Sequence, residues 1–205
     1  MYAQGSDALE KKEVRIGFIL LTDCASIVIA SVLGIDKKYG VTIVSRKEAS
    51  WASIRNKMVT GENDMTHMLL GQTYGVHLDA GGAKKDMAVL MTLNHNGHAI
   101  TLSKKLAEKG EVDSPPCIKL MATEKRPADL PFTFAQTFPT GTHARCLYYG
   151  PAANGVNPVK DAKVITVPPP QNGRQHAGGK YGRLFCGGEP LRQPFWRQAS
   201  GLIPA

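Results

Sequence analysis

The sequence predicts an α/β fold with a largely parallel sheet. Apolar runs of strand length alternate along the chain with segments whose apolar residues recur at helical spacing, which is typical of α/β domains. The 205 residues are 42% hydrophobic and 20% charged, which is ordinary for a globular protein and argues against a disordered, collagen-like or coiled-coil chain. The longest apolar stretch, residues 16–21, is too short to span a bilayer as a helix.

The first half of the chain carries most of this pattern. Four apolar runs have the length of strands: residues 14–21, 41–45, 64–70 and 87–93. Three segments between them have helical signals: residues 24–33, 51–60 and 71–78. Gly34 and Gly61 are expected to end the first two helices. Ser50 is a good N-cap for the second helix, because its hydroxyl can accept a hydrogen bond from a backbone N–H.

The second half resumes the alternation after a polar, proline-bearing connector at residues 110–131. A strand is expected at residues 132–138, a helix from His143 and another strand at residues 162–167. This order predicts two α/β lobes, one formed by residues 1–100 and a second, partial one formed by residues 101–205.

Loops at the carboxyl ends of strands are where open α/β sheets bind ligands. The loop with Gly141, Thr142 and His143 is the strongest candidate here. It places backbone N–H groups, a hydroxyl and an imidazole at a helix start, which suits an anion. Each residue also has a structural interpretation, Thr142 as an N-cap and His143 as a surface or capping histidine. Trp51, at helical spacing, is either a core residue or one wall of a ligand site.

Catalytic chemistry has little support in the sequence. GxGxxG, P-loop and HExxH motifs are absent, and the candidate loops hold no pair of carboxylates. The four cysteines form no CxxC pair, which argues against a disulfide framework or a zinc site. Cys24 lies within an apolar helix pattern and is most simply a small core residue. We therefore expect no catalytic residue, no metal and no cofactor.

The chain is basic, with a formal charge of +8, and the charge is unevenly spread. Residues 172–205 hold five basic residues and one acidic residue in a glycine-rich stretch. A nucleic-acid-binding arm is one interpretation, and it predicts a DNA affinity that falls steeply with salt. No signal peptide is visible after Met1, which by itself predicts a cytoplasmic protein.

Several longer segments carry a family resemblance. They read RIGFILLTDCASIVIA, KKYGVTIVSRKEASWASIRNKMVTGENDMTHML, LNHNGHAITLS, FTFAQTFPTGTHA, NGVNPVKDAKVITVPPPQ and FCGGEP. In this order they resemble the nitrate-binding substrate-binding proteins of ABC transporters, whose relatives bind bicarbonate or sense nitrate. The resemblance implies a periplasmic-binding-protein-like fold of type II, with two lobes that close on a small oxyanion.

The resemblance also implies a role and a ligand set. The protein would be periplasmic and would capture nitrate or nitrite between two lobes for delivery to the permease subunits of an ABC transporter, with no nucleic-acid partner and no membrane span of its own. Bicarbonate stays open as an alternative ligand. The residues that would bind the ion are Trp51, His98, Gly141, Thr142, His143 and Pro169.

The chain departs from the family pattern in three ways. His98 stands where relatives usually have an amide, and it can still donate a hydrogen bond. The chain also lacks the family's later second-lobe elements, so we expect a truncated protein. After Gln171 the family's Met-Val-Ala-Asn-Met is replaced by Asn-Gly-Arg-Gln-His. One nucleotide inserted after the Gln171 codon converts one reading into the other, so we hypothesise a frameshift there and expect residues 172–205 to be disordered or aberrant.

Two alternative functions use the same fold. A cytoplasmic nitrate sensor would regulate nitrate assimilation through a partner protein, and a genuine start at Met1 favours it. An enzyme resembling thiamine-pyrimidine synthesis proteins is the other, and it would lose activity when Cys24 or His143 is replaced. The transport function is the main prediction.

Overall fold

The computed structural model describes residues 9–80, 82–94, 98–103, 132–168, 184–188 and 201–202. The chain divides into two compact units. Unit 1 holds the described residues up to Met68 together with Leu90–Leu93. Unit 2 holds Leu69–Val89 and the described residues from Asn94 onward. The lobe boundary expected near residue 100 stays a prediction.

Unit 1 is built on a three-stranded parallel sheet. Its strands are β1 (Glu13–Phe18), β2 (Thr42–Lys47) and β3 (Met65–Thr66), in the order β2-β1-β3. β1 pairs with β2 along its whole length, from Glu13 opposite Thr42 to Phe18 opposite Lys47. Parallel neighbours require crossover connections, and helices supply them on both sides of β2.

Both helices that the sequence predicts in unit 1 are present to within one residue at each end, and a short helix between them was not predicted. A 3-10 turn (Thr22–Cys24) leads into α1 (Ala25–Val32), then come α2 (Ile35–Lys38) and α3 (Trp51–Thr60). Gly34 and Gly61, which follow α1 and α3, have φ angles of 65° and 79°, the left-handed conformation that glycine adopts without strain. The Ser50 hydroxyl accepts a hydrogen bond from the Ser53 N–H at 3.1 Å, so the predicted N-cap is confirmed.

An ion-pair cluster joins the amino-terminal end of unit 1 to the start of β3. Asp64 accepts hydrogen bonds from the Arg15 side chain (Nε and Nη2, both 2.9 Å), from the Arg15 N–H at 2.9 Å and from Lys11 Nζ at 2.6 Å. The Arg15 side chain, then Lys11 and the Arg15 N–H hold the pKa of Asp64 far below its usual range. The cluster therefore fixes β3 beside β1 through a carboxylate.

Unit 2 contains α4 (Leu70–His77), α5 (Thr142–Ala153) and a mixed sheet. The strands are β4 (His98–Ser103), β5 (Phe132–Gln136), β6 (Ala162–Thr166), β7 (Leu184–Gly188) and β8 (Gly201–Leu202). Their order is β6-β5-β7-β4-β8; β5 is parallel to β6 and β7, and β4 is antiparallel to β7 and β8. α5 lies against β5 and β7, and Phe134, Ala144 and Leu147 are fully buried in this layer.

Some predicted elements differ from the structure. The strand predicted at residues 87–93 is wrong, since that segment has neither helix nor strand, and Leu90 and Met91 are exposed. An apolar run forms a strand only when a neighbouring strand pairs with it. The strand predicted at 64–70 shrinks to Met65–Thr66, and α4 begins at Leu70.

The expectation for residues 172–205 mostly concerns positions outside the described residues. Within that stretch the structure describes β7 and β8 as strands. β7 pairs with both β4 and β5, so it joins the antiparallel and parallel parts of the sheet. The expectation for the stretch as a whole stays a prediction. In the part of the chain that the structure describes, no helix combines the length and apolarity needed to cross a membrane.

Candidate functional site

Three side chains meet at the carboxyl ends of the parallel strands of unit 1. Asp23 follows β1, Trp51 follows β2, and His67 follows β3 directly. His67 Nε2 lies 3.0 Å from Asp23 Oδ2, and the His67 and Trp51 rings make an edge-on contact with centroids 5.2 Å apart. Because the carboxyl ends of parallel strands lie at one edge of the sheet, three distant segments of sequence form one cluster.

Trp51 is held in place by the first turns of α3. It is 2% exposed, so it is a core residue as well as a member of this cluster. Glu48, just before the helix, accepts a hydrogen bond from Ser53 Oγ at 2.5 Å and forms an ion pair with Lys57 Nζ at 2.9 Å. Burial raises the pKa of Glu48, but the bonds from Ser53 and Lys57 outweigh it, and the net pKa is lowered. The carboxylate therefore stays ionised and clamps α3 at the end that carries Trp51.

His67 is a member of the cluster that sequence reasoning missed. Its side chain is 4% exposed and its backbone N–H donates to the Gly17 carbonyl oxygen at 2.9 Å. His67 Nδ1 and Asp23 Oδ1 are buried and have no hydrogen-bond partner among the residues that the structure describes. The sequence does place a histidine at the end of a short apolar run. Because the predicted strand covers residues 64–70, that prediction makes His67 part of the strand and not a residue of the loop that follows it.

The predicted loop of unit 2 lies at the carboxyl end of β5, as expected. Gly141 is the N-cap of α5, and Thr142 and His143 are the first two helical residues. The interpretation of Thr142 as an N-cap is therefore wrong, and the helix begins one residue before the expected His143. The Gly141 N–H donates to the Phe138 carbonyl oxygen at 3.1 Å, which closes the turn before the helix. Backbone N–H groups of a first helical turn, together with the helix dipole, favour an anion here.

His143 is buried and fixed by a hydrogen bond to Thr137. Thr137 Oγ1 lies 2.8 Å from His143 Nδ1, and the two residues are 2% and 3% exposed. When the Thr137 hydroxyl donates to Nδ1, the neutral ring carries its proton on Nε2, which is then a hydrogen-bond donor. The interpretation of His143 as a surface histidine is therefore wrong, because its ring points into the protein rather than into solvent.

The turn formed by Thr140, Gly141 and Thr142, called here the 140–142 turn, also packs closely against α4. A Cβ atom built on Gly71 would lie 2.6 Å from the Thr140 carbonyl oxygen and 3.0 Å from the Thr142 nitrogen. A Cβ atom built on Gly75 would lie 2.9 Å from Thr140 Oγ1. Only glycine fits at both positions without movement of the turn.

Two predicted site residues are not placed in the same detail. His98 is the first residue of β4, and only its backbone is described. Pro169 lies outside the described residues. The structure therefore places Trp51 in the cluster of unit 1, and Gly141, Thr142 and His143 at the start of α5 in unit 2.

The two sets of residues present different chemical groups. Unit 2 presents backbone N–H groups and an imidazole at a helix start, donors that suit a small anion. Cys24 is buried, as a core residue would be. Within the described ranges, no three His, Cys, Asp or Glu side chains converge in the way that metal ligands do.

Comparison with known proteins identifies relatives of this chain by sequence. The nitrate/nitrite binding protein NrtA of Synechococcus elongatus is 38% identical over 197 residues, which are 91% of this chain and 44% of the relative. The nitrate import ATP-binding protein NrtC of Synechocystis is 34% identical over 206 residues, covering 99% of this chain and 30% of the relative. The chain thus spans less than half the length of these two relatives.

Solved structures agree with the sequence relatives. The crystal structure of the periplasmic nitrate-binding protein NrtA from Synechocystis PCC 6803 matches with a TM-score of 0.82 and 32% identity, over 95% of this chain and 51% of that one. The fold is therefore that of the periplasmic binding proteins, of which this chain spans about half. The family model that matches, over residues 7–205, is the NMT1-like family. The chain belongs to this family.

Proposed function

We propose that this protein is a nitrate-binding component of an ABC importer. The observation that carries the proposal is the buried pair Thr137–His143 at the start of α5, beside the N-cap Gly141. This arrangement offers donors to an anion and no carboxylate among its own members. A planar oxyanion such as nitrate needs several fixed donors of this kind in a site shielded from water.

The proposed ligand residues are the six that the family resemblance implies. In unit 2, Gly141, Thr142 and His143 supply backbone N–H groups, a hydroxyl and an imidazole. In unit 1, Trp51 supplies an aromatic wall next to the strand ends. His98 and Pro169 complete the proposed set on the strength of the family resemblance alone.

The proposed role is to capture nitrate or nitrite and deliver it to membrane permease subunits. Relatives of this chain are named as nitrate/nitrite binding proteins and as a nitrate import ATP-binding protein, which supports such partners. The Synechocystis NrtA of the matching crystal structure is a periplasmic protein, and we propose the same location for this one. Bicarbonate-binding relatives make bicarbonate the competing ligand.

The experiment is a thermal melt of the purified chain by circular dichroism, with sodium nitrate, nitrite, bicarbonate or chloride at equal ionic strength. A ligand that binds only the folded state adds about 2.7 kcal/mol at one hundred times its Kd, so nitrate should raise Tm and chloride should not. His143→Gln should abolish the shift. His77→Gln is the matched control, because His77 is an exposed histidine of α4. A Tm that responds to neither nitrate nor nitrite would refute the proposal, and a response to bicarbonate alone would favour bicarbonate as the ligand instead.

A further inference from the structure

We propose that Gly71 and Gly75 are positioning residues that set the geometry of the anion donors at the start of α5. This inference rests on the proposed function, because the glycines affect binding only if the 140–142 turn donates to the anion. The two glycines are four residues apart in α4 and therefore lie on one face of that helix. That face is the one against which the turn packs.

The two contacts involve different atoms. At Gly71, a Cβ atom would meet backbone: the Thr140 carbonyl oxygen at 2.6 Å, the Thr142 nitrogen at 3.0 Å and the Gly141 carbonyl carbon at 3.2 Å. At Gly75, a Cβ atom would meet the Thr140 side chain: Oγ1 at 2.9 Å, Cβ at 3.0 Å and Cγ2 at 3.3 Å. Contacts under 3.0 Å do not occur between real atoms of this kind, so one of the two elements would have to move.

The turn has little freedom to move away. Gly141 is itself confined, since a Cβ atom there would meet Leu69 Cδ1 at 3.0 Å and the Phe138 carbonyl oxygen at 3.2 Å. His143 is held by Thr137, and its neighbour Ala144 is fully buried. The turn is thus held on its other side, and we expect a methyl group on Gly71 to displace Thr142 and the backbone N–H groups around it. Those groups include the proposed donors to the anion.

The choice of glycine also contradicts local preference. Glycine is one of the poorest residues in a helix interior and alanine the best, so propensity alone favours alanine at both positions. Both glycines lie within a helix of eight residues. The close approach of α4 to the 140–142 turn provides the physical reason for these two glycines. In this proposal, that approach sets the positions of the N–H groups that donate to the anion.

The test compares Gly71→Ala, Gly75→Ala and the control Tyr74→Ala, which alters an exposed side chain of the same helix. Nitrate Kd is measured by titration calorimetry, folding by thermal melts, and the turn by the amide resonances of Thr142 and His143. We expect Gly71→Ala to weaken nitrate binding at least tenfold and to shift both resonances. Tyr74→Ala should leave Kd and both resonances unchanged.

A second pair of variants separates positioning from simple loss of packing. Thr140→Gly removes the atoms that Gly75→Ala would meet, but not the backbone that Gly71→Ala would meet. The Kd of each double variant is compared with that of Thr140→Gly alone. Adding Gly75→Ala should leave Kd nearly unchanged, whereas adding Gly71→Ala should still weaken binding tenfold or more. If Gly71→Ala does not fold, the Gly75→Ala pair provides the same test: Gly75→Ala alone should weaken nitrate binding and shift both resonances, and in the Thr140→Gly background it should do neither.

The outcomes keep this inference distinct from the proposed function. If Gly71→Ala lowers Tm but changes neither Kd nor the two resonances, the glycines serve packing only and the inference is wrong. If the unaltered chain does not bind nitrate, the proposed function fails. The positions of the Thr142 and His143 resonances in the alanine variants then still decide whether α4 sets the geometry of the turn.

Discussion

Removing the Thr137 hydroxyl should destabilise the protein and weaken anion binding together. Thr137→Val keeps the branched shape of the side chain and deletes the oxygen that lies 2.8 Å from His143 Nδ1. Both residues are at most 3% exposed, so water cannot replace the lost partner. A buried polar group left unsatisfied costs about 1–3 kcal/mol, and we expect the free energy of unfolding to fall by that amount.

The effect on binding follows from the proton on His143. With Thr137 donating to Nδ1, the proton is on Nε2, and without this bond either nitrogen can carry it. We expect nitrate affinity to fall about tenfold, equivalent to about 1.4 kcal/mol. Thr137→Ser, which keeps a hydroxyl at the same place, should restore most of both losses.

Urea unfolding followed by circular dichroism gives the stability, and calorimetric titration gives Kd. A lower midpoint with an unchanged m-value would show that stability itself has changed. Thr42→Val is the matched control, because Thr42 is an exposed threonine of β2 in the other unit. Equal stability and equal Kd in Thr137→Val and the unaltered chain would refute the role given to Thr137.

Three further outcomes are expected. Ser50→Ala should lower the free energy of unfolding by about 1 kcal/mol because α3 loses its N-cap, whereas Ser50→Asp, which keeps a capping side chain, should not. Equal urea midpoints for the unaltered chain and both variants would contradict this. The bonds from Arg15 hold the pKa of Asp64 below its ordinary value. The stabilisation that these bonds give the folded protein is therefore complete above about pH 4, and it is lost as the pH falls toward the folded-state pKa of Asp64. Asp64→Asn should therefore reduce the fall in Tm on acidification, and an identical Tm–pH profile would argue against this ion pair. His67→Leu should lower stability by about 1–3 kcal/mol because it removes the partner of Asp23 Oδ2, and adding Asp23→Asn should recover part of that loss in thermal melts. A Tm unchanged by His67→Leu would contradict the pairing.

Local signals in the sequence predicted the ends of α1 and α3 to within one residue, although the short α2 was missed. Ser50, Gly34 and Gly61 mark helix ends through their own backbone and side-chain chemistry, and such effects act within one turn. The start of α5 was predicted one residue late, because Gly141 and not Thr142 is its N-cap. Strands were predicted less well: the segment at residues 87–93 has the composition of a strand but is not one in the structure. Its state depends on pairing with distant residues, which no local pattern records.

The sequence by itself determined the α/β class, the loops at strand ends and the candidate anion residues at the start of α5, because each follows from periodicity, caps and turns over a few neighbouring positions. Only the tertiary structure decided that His67 joins Asp23 and Trp51, and that α4 approaches the 140–142 turn closely enough to require glycine. These contacts join segments that lie far apart in the chain. They depend on the register of strands and on distances of a few tenths of an ångström, which the order of residues does not reveal until the chain has folded.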